Sequence, residues 1–269
     1  MKCLICKGDY APLMTKDFSK SHYGFLMRDT PLVHYIKCAV CGFTLSETHA
    51  AMDAARWSEL NVEFHDYIES GRSPINQPPY IDQAVMLRIL SAHGVITFDS
   101  VVDYAGGHGT LSRILRKYFD MRLPVFEPYM QASDGVDYIA ERDLQTYDVV
   151  INSALFEHLF TRDAFDKING LVSSRGCMIV HTVVCESVPR DENWFYMDPP
   201  VHCAFHTNKS MQLLMDQWQY EASIYCPPAR CWVLLKKASP DLESVIAGVN
   251  NELQKEYLLF KRGFVDYWK

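Results

Sequence analysis

Apolar positions along this chain follow two rhythms. Short, largely apolar runs occur at Val101-Val102, Leu123-Pro124-Val125-Phe126, Tyr147-Asp148-Val149-Val150-Ile151-Asn152 and Cys177-Met178-Ile179-Val180-His181-Thr182-Val183. Such runs suit parallel strands covered on both faces. Between them, apolar residues recur every three or four positions, which is the mark of an amphipathic helix. Leu111, Ile114, Leu115 and Tyr118 form one such stripe, with Arg113, Arg116 and Lys117 outside. Ile81, Val85, Leu87, Ile89 and Leu90 form an earlier one between Tyr80 and His93, which Gly94 stops. Thr161 is placed to cap a third helix that buries Ala164, Phe165, Ile168 and Leu171. A fourth helix is expected from Asn208 to Trp218, and a terminal one over 243–264 with Val245, Val249, Leu253, Tyr257 and Phe260 on one side. Tyr220–Tyr225 and Cys231–Leu235 read as an antiparallel pair around Pro227-Pro228, and 133–139 as a further, weakly marked strand. Alternating strands and helices predict an α/β fold with a largely parallel sheet.

The chemistry concentrates where the first run ends. Val101-Val102-Asp103 passes into Tyr104-Ala105-Gly106-Gly107-His108-Gly109, a glycine-rich turn that opens the helix of Leu111. The next strand ends in Glu127. This is the layout of a nucleoside-binding βαβ unit. Glycines let the backbone approach the ligand, and a carboxylate at the second strand tip accepts hydrogen bonds from ribose hydroxyls. The spacing from Asp103 is D-x-A-x-G-x-G, with Ala105 where a dinucleotide fingerprint has its first glycine. It resembles motif I of the class I S-adenosylmethionine (SAM) methyltransferases.

That resemblance implies a Rossmann-like seven-stranded methyltransferase sheet, with SAM held by Asp103, Ala105, Gly106, Gly107, Gly109 and Glu127. Asn152 and Ser153, at the end of the fourth strand, are expected beside its methionine part, because ligands of open α/β sheets lie at the carboxyl ends of strands.

A second signal lies near the start. Cys3-x-x-Cys6 and Cys38-x-x-Cys41 sit on short turns with glycine nearby, and two such turns complete a tetrahedral Cys₄ shell for a structural zinc ion. His22, His34 and His49 are spare candidates, each read as a surface or packed histidine. Four cysteines in this spacing ahead of motif I resemble the zinc-binding part of deoxysugar C-methyltransferases. The implied organisation is a zinc-ribbon-like module over 1–50, a helical linker and cofactor lid over 51–94, the methyltransferase domain over 95–238 and a C-terminal helix over 239–269. The implied acceptor is a sugar or nucleotide-linked sugar, methylated at oxygen or carbon. The alternatives are an RNA or protein acceptor docked by the zinc module, and a SAM-binding scaffold without catalysis.

Candidate catalytic residues follow the later strands. Phe156-Glu157-His158-Leu159 resembles the E-H-L segment of small-molecule methyltransferases. In a quinone-pathway subset E-x-x-E-H binds a divalent metal; here Ala154 takes the first position, so no such site is expected. The stretch from Trp194 to Thr207 lies where this fold builds its substrate wall. His202 is the leading candidate base, with His206, His158 and Tyr196 beside it. Asn76-Gln77-Pro78-Pro79-Tyr80 and Asp198-Pro199-Pro200-Val201 imitate an adenine-methylation motif but fall in the wrong places, and read as loops.

Composition narrows the picture. A chain of 269 residues with 48% hydrophobic content can bury a full core, and a net charge of −7 argues against a phosphate-backbone partner. No apolar run approaches a membrane span, and the start lacks a signal-peptide core, so a cytoplasmic protein acting on a small molecule is expected. The terminal helix offers a surface for a homodimer.

Overall fold

The computed structural model describes residues 1–68, 78–129 and 134–266. In chain order the strands and helices are β1 Tyr10–Asp17, β2 Leu32–Cys38, β3 Thr44–Ser46, α1 Glu47–Ala50, α2 Ala54–Tyr67, α3 Tyr80–Ala92, β4 Val101–Tyr104, α4 Thr110–Phe119, β5 Val125–Phe126, β6 Tyr147–Ser153, α5 Arg162–Gly170, β7 Val172–His181, β8 Val184–Cys185, β9 Ala204–Thr207, α6 Asn208–Gln217, β10 Ala222–Cys226, β11 Cys231–Leu235, α7 Leu242–Glu252 and β12 Leu259–Arg262.

The main sheet has seven strands in the order β12-β10-β11-β7-β6-β4-β5. Pairing is parallel from β5 through β4 and β6 to β7, and antiparallel from β7 through β11 and β10 to β12. Residues alternate between its faces, as the pleat requires. Val101, Val149, Ile151, Cys177, Ile179 and Val233 join a core with Leu87 and Leu90 of α3, Leu111 and Leu115 of α4, and Ile246 and Val249 of α7. Val102, Val150, Met178, Val180 and Leu234 join the opposite core with Phe165 of α5 and Leu214 of α6. The sheet is covered on both faces, which is why its central strands carry largely apolar runs.

Two expected elements take other forms. Between β5 and β6 the anticipated strand is reduced to one bridge, Val125 to Tyr138, and residues 130–133 lie outside those described. The expected long terminal helix stops at Glu252 and the chain returns as β12, pairing with β10. Asn250 braces this return: its Oδ1 accepts from the backbone N–H of Tyr257 and Leu258, and its Nδ2 donates to the carbonyl of Leu258. The apolar side of α7 (Leu242, Ile246, Val249) is spent on the intramolecular core, so the dimer surface expected there is not free. Within α4, Tyr118 is exposed, and Ser112 is buried with its hydroxyl donating to the carbonyl of Leu123.

The amino-terminal segment is welded to the rest by a second sheet, β1-β2-β3-β9-β8. β3 pairs antiparallel with β9, and β9 parallel with β8, so strands from 10–46 and 184–207 share one hydrogen-bonded surface. The segment expected as an irregular substrate wall thus contributes a strand to the amino-terminal unit.

Candidate functional site

A cleft of about 1510 Å³ opens at the carboxyl ends of β4, β6 and β7. One wall is the glycine turn. Ala105 adopts φ +61° and its N–H donates to the carbonyl of Phe126, binding the turn to β5. Gly106 is obligatory by space: a Cβ would lie 2.6 Å from Asp103 Oδ2 and 2.9 Å from Val125 Cγ1. Glu127 accepts from the backbone N–H of Gly107 at 2.8 Å and of Tyr129 at 2.8 Å, so its carboxylate is oriented in advance. Asp103 is buried, and its Oδ1 has no hydrogen-bond partner among the described residues. Burial, assisted by the charge of Glu127, pushes its carboxyl up to about 7.

Asp103, Ala105, Gly106, Gly107, Glu127 and Ser153 all line the cleft, as do His158, Tyr196 and His202. Three expected residues stand apart from the lining. Gly109 is the αL residue (φ +68°) before α4, where a Cβ would meet Val136 at 2.5 Å, so it serves the turn. Asn152 is fully buried, and neither its amide nitrogen nor its oxygen has a partner among the described residues. Pleating turns it away from the side that Ser153 presents, and Ser153 exchanges hydrogen bonds with Gln83 of α3. His206, on β9, is enclosed by Phe43, Phe156 and Phe165 at ring distances of 5.0, 5.6 and 5.6 Å. Burial draws its imidazole down to about 3, and it packs as a core ring.

The far end of the cleft carries the chemistry. The turn Leu155–His158 follows the strained Ala154 (φ +59°) at the end of β6. The N–H of Cys203 donates to the carbonyl of Glu157 at 2.8 Å, which locks this turn to the segment before β9. Glu157, His158 and His202 therefore converge, with their ligating atoms all within 4.8 Å of one another. His202 Nδ1 lies 2.8 Å from the carbonyl of Tyr196, and His158 Nδ1 lies 3.2 Å from Asn61 Oδ1. Both oxygens are acceptors, since the Asn61 amide nitrogen donates to the carbonyl of Trp57, so each Nδ1 carries the proton. Each Nε2 then holds a lone pair. Burial draws both rings below the usual histidine range, His202 to about 3, and both are neutral at pH 7. Tyr196 accepts from the N–H of Val183 at 3.0 Å and meets Thr182 Oγ1 at 3.1 Å, while Thr182 donates to Glu157 Oε2 at 2.9 Å.

Helix α2 supplies a wall that sequence reasoning left unnamed. Trp57, Asn61, Phe64 and His65 face the cleft, and His65 stacks on His158 at 5.8 Å. Their spacing of four, three and one is a helical stripe, and its polar members within an apolar face were the available signal.

The four amino-terminal thiols also converge, away from the cleft. Cys3, Cys6, Cys38 and Cys41 Sγ atoms lie within 4.8 Å of one another, with Cys3–Cys41 at 3.6 Å and Cys6–Cys38 at 3.4 Å. The backbone N–H of Ile5 and of Val40 donate to Cys3 and Cys38 sulfurs. None of the four is in a disulfide. The hydrogen bond between Cys3 and Cys41 draws the Cys3 thiol down to about 5 and pushes that of Cys41 up. His22 bonds Tyr67, His34 bonds Thr15, and His49 bonds Ser46 and the carbonyl of Pro200, so these histidines are engaged elsewhere.

The main sheet with this cleft is the fold of the SAM-dependent class I methyltransferases. One solved structure shares this fold. The plantazolicin methyltransferase BpumL, in complex with a monoazolic desmethylPZN analog and SAH, matches at TM-score 0.50 and 13% identity, covering 82% of this chain and 96% of that one. The 1,6-didemethyltoxoflavin-N1-methyltransferase of Burkholderia thailandensis matches at TM-score 0.47 and 16% identity, covering 71% and 93%. No family model matches the sequence, and no curated protein does either. Among the described residues no helix is long and apolar enough to cross a membrane.

Proposed function

We propose that this chain is a SAM-dependent methyltransferase whose acceptor is a small, planar, largely apolar molecule bearing an oxygen or nitrogen nucleophile. The observation that carries this reading is the character of the cleft. It offers a nucleoside cradle at one end and polar groups at the other, between walls of Trp57, Phe64, Phe160, Trp194, Phe195 and Tyr196. Aromatic walls suit a flat acceptor.

The charge of the wall counts against the nucleotide-linked sugar. Asp103, Glu127, Glu157, Glu186 and Asp198 line the cleft, and Arg230 is the single fixed cation among its described lining residues. A pyrophosphate needs several donors of positive charge, and this wall offers one. The same wall disfavours an RNA acceptor.

SAM, when bound, supplies an electrophilic methyl group on a sulfonium. The chain's own residues then do three things. Glu127, held by Gly107 and Tyr129, accepts the ribose hydroxyls, and the turn over Gly106 lets the backbone close on the adenosine. The aromatic walls align the acceptor and exclude water. His202, its Nδ1–H given to the Tyr196 carbonyl, offers Nε2 as a hydrogen-bond acceptor that orients the acceptor's nucleophile. Cys3, Cys6, Cys38 and Cys41 hold one structural zinc ion; two thiol pairs at 3.4 and 3.6 Å suit a tetrahedral shell, whose Zn–S bonds of about 2.3 Å place sulfurs slightly under 4 Å apart.

The test is a screen of the full chain with SAM against phenolic and N-heteroaromatic acceptors beside nucleotide-linked sugars and RNA, read by mass spectrometry as gain of a methyl group. Turnover is expected in the aromatic set. Turnover confined to sugars or RNA overturns the acceptor class.

A further inference from the structure

We infer that Glu157, His158 and His202 form a second metal site, holding a divalent transition-metal ion of the zinc type at the acceptor end of the cleft. The residues come from two separate turns, and the link between Cys203 and Glu157 brings them together. Their ligating atoms lie within 4.8 Å of one another, close enough for small side-chain rotations to bring all three round one ion. The sequence hid this site, because Ala154 stands where a local motif would need its first carboxylate. The third ligand arrives instead from His202, far along the chain.

The hydrogen bonds around the cluster are those of ligands rather than of packed rings. Each imidazole gives its Nδ1–H to an oxygen, His202 to the Tyr196 carbonyl and His158 to Asn61 Oδ1, which fixes the tautomer with the Nε2 lone pair left for an ion. Glu157 is held in turn by the hydroxyl of Thr182. Two neutral imidazoles and one carboxylate form a donor set used by catalytic zinc and other first-row ions. Three ligands leave a position open toward the cleft, where all three residues are lined up. A bound ion would engage the His202 Nε2 lone pair in place of the acceptor, and would offer its open position to the acceptor's heteroatom instead. The inference is independent of methyl transfer, since binding of the ion needs neither SAM nor acceptor.

The test is metal stoichiometry. The full chain is saturated with Zn²⁺, freed of excess ion and assayed by elemental analysis and X-ray absorption. Two zinc ions per chain are expected, one in an all-sulfur shell and one in a nitrogen–oxygen shell. Glu157→Gln and His202→Gln should each lose one equivalent and keep the sulfur shell. One zinc per saturated wild-type chain, with sulfur ligands only, overturns the site, as does retention of both ions by the folded variants. Where a variant fails to fold, the wild-type count and its absorption spectrum decide.

Discussion

Asp103→Asn isolates the buried carboxyl at the heart of the glycine turn. Asp103 is buried, its Oδ1 has no partner among the described residues, and burial lifts its pKa from 3.8 to about 7. A raised carboxyl binds its proton more tightly in the folded chain than in the unfolded one. Its contribution is therefore fully present below the unfolded pKa, and is lost as pH rises toward the folded value. A displacement of roughly three units corresponds to about 4 kcal/mol in total, of which about 2–3 kcal/mol falls between pH 5 and pH 8. Asparagine keeps the shape and cannot ionise. The stability of Asp103→Asn relative to wild type should therefore climb with pH by about that amount and level off above about pH 7–8. Urea denaturation of both chains without SAM, followed by tryptophan fluorescence at pH 5, 6, 7 and 8, measures it. A difference that stays flat, or that falls as pH rises, would show that Asp103 titrates as an ordinary carboxylate and that the turn is open to water.

Three further outcomes follow from the cleft. Glu127→Ala should weaken SAM binding at least about tenfold in calorimetry, since hydrogen bonds to a charged group are worth roughly 1.5–3 kcal/mol; unchanged affinity rejects its place on the ribose. Gly106→Ala drives a Cβ to within 2.6 Å of the Asp103 carboxylate, so it should abolish SAM binding or lower the melting temperature, and a variant that binds normally contradicts the cradle. His202→Ala should cut turnover by about 10²–10⁴ with SAM affinity nearly constant, whereas His206→Phe, placed among Phe43, Phe156 and Phe165, should leave turnover within a few-fold of wild type. Equal losses in the two variants would remove the distinction drawn between these histidines.

What the sequence revealed was local. The parallel strands were legible because burial on both faces leaves largely apolar runs, and the glycine turn because only certain residues tolerate its backbone. The four cysteines were legible because a knuckle fixes its own spacing. The carboxyl-terminal return was not: Leu253, Tyr257 and Phe260 satisfy a helical stripe, yet the choice for β12 is made by Asn250 and by an open edge on β10, which is a tertiary fact. Of the two candidate histidines before α6, His202 led in the sequence, but no burial pattern separated it from His206. A shared sheet with β3 turns His206 into a core ring and leaves His202 on the cleft, and no local pattern announces that sheet. Asn61 and His65 were hidden for a related reason, since a polar residue in an apolar helical stripe acquires meaning only when the opposite wall is known.

The most direct test is calorimetric titration of the full chain with SAM, SAH and NAD in turn. The expected result is one site per chain for SAM and SAH, mutually competitive, with no heat from NAD. Binding of NAD in preference to SAM, or failure of a folded chain to bind SAM and SAH at all, would contradict the assignment of the cleft.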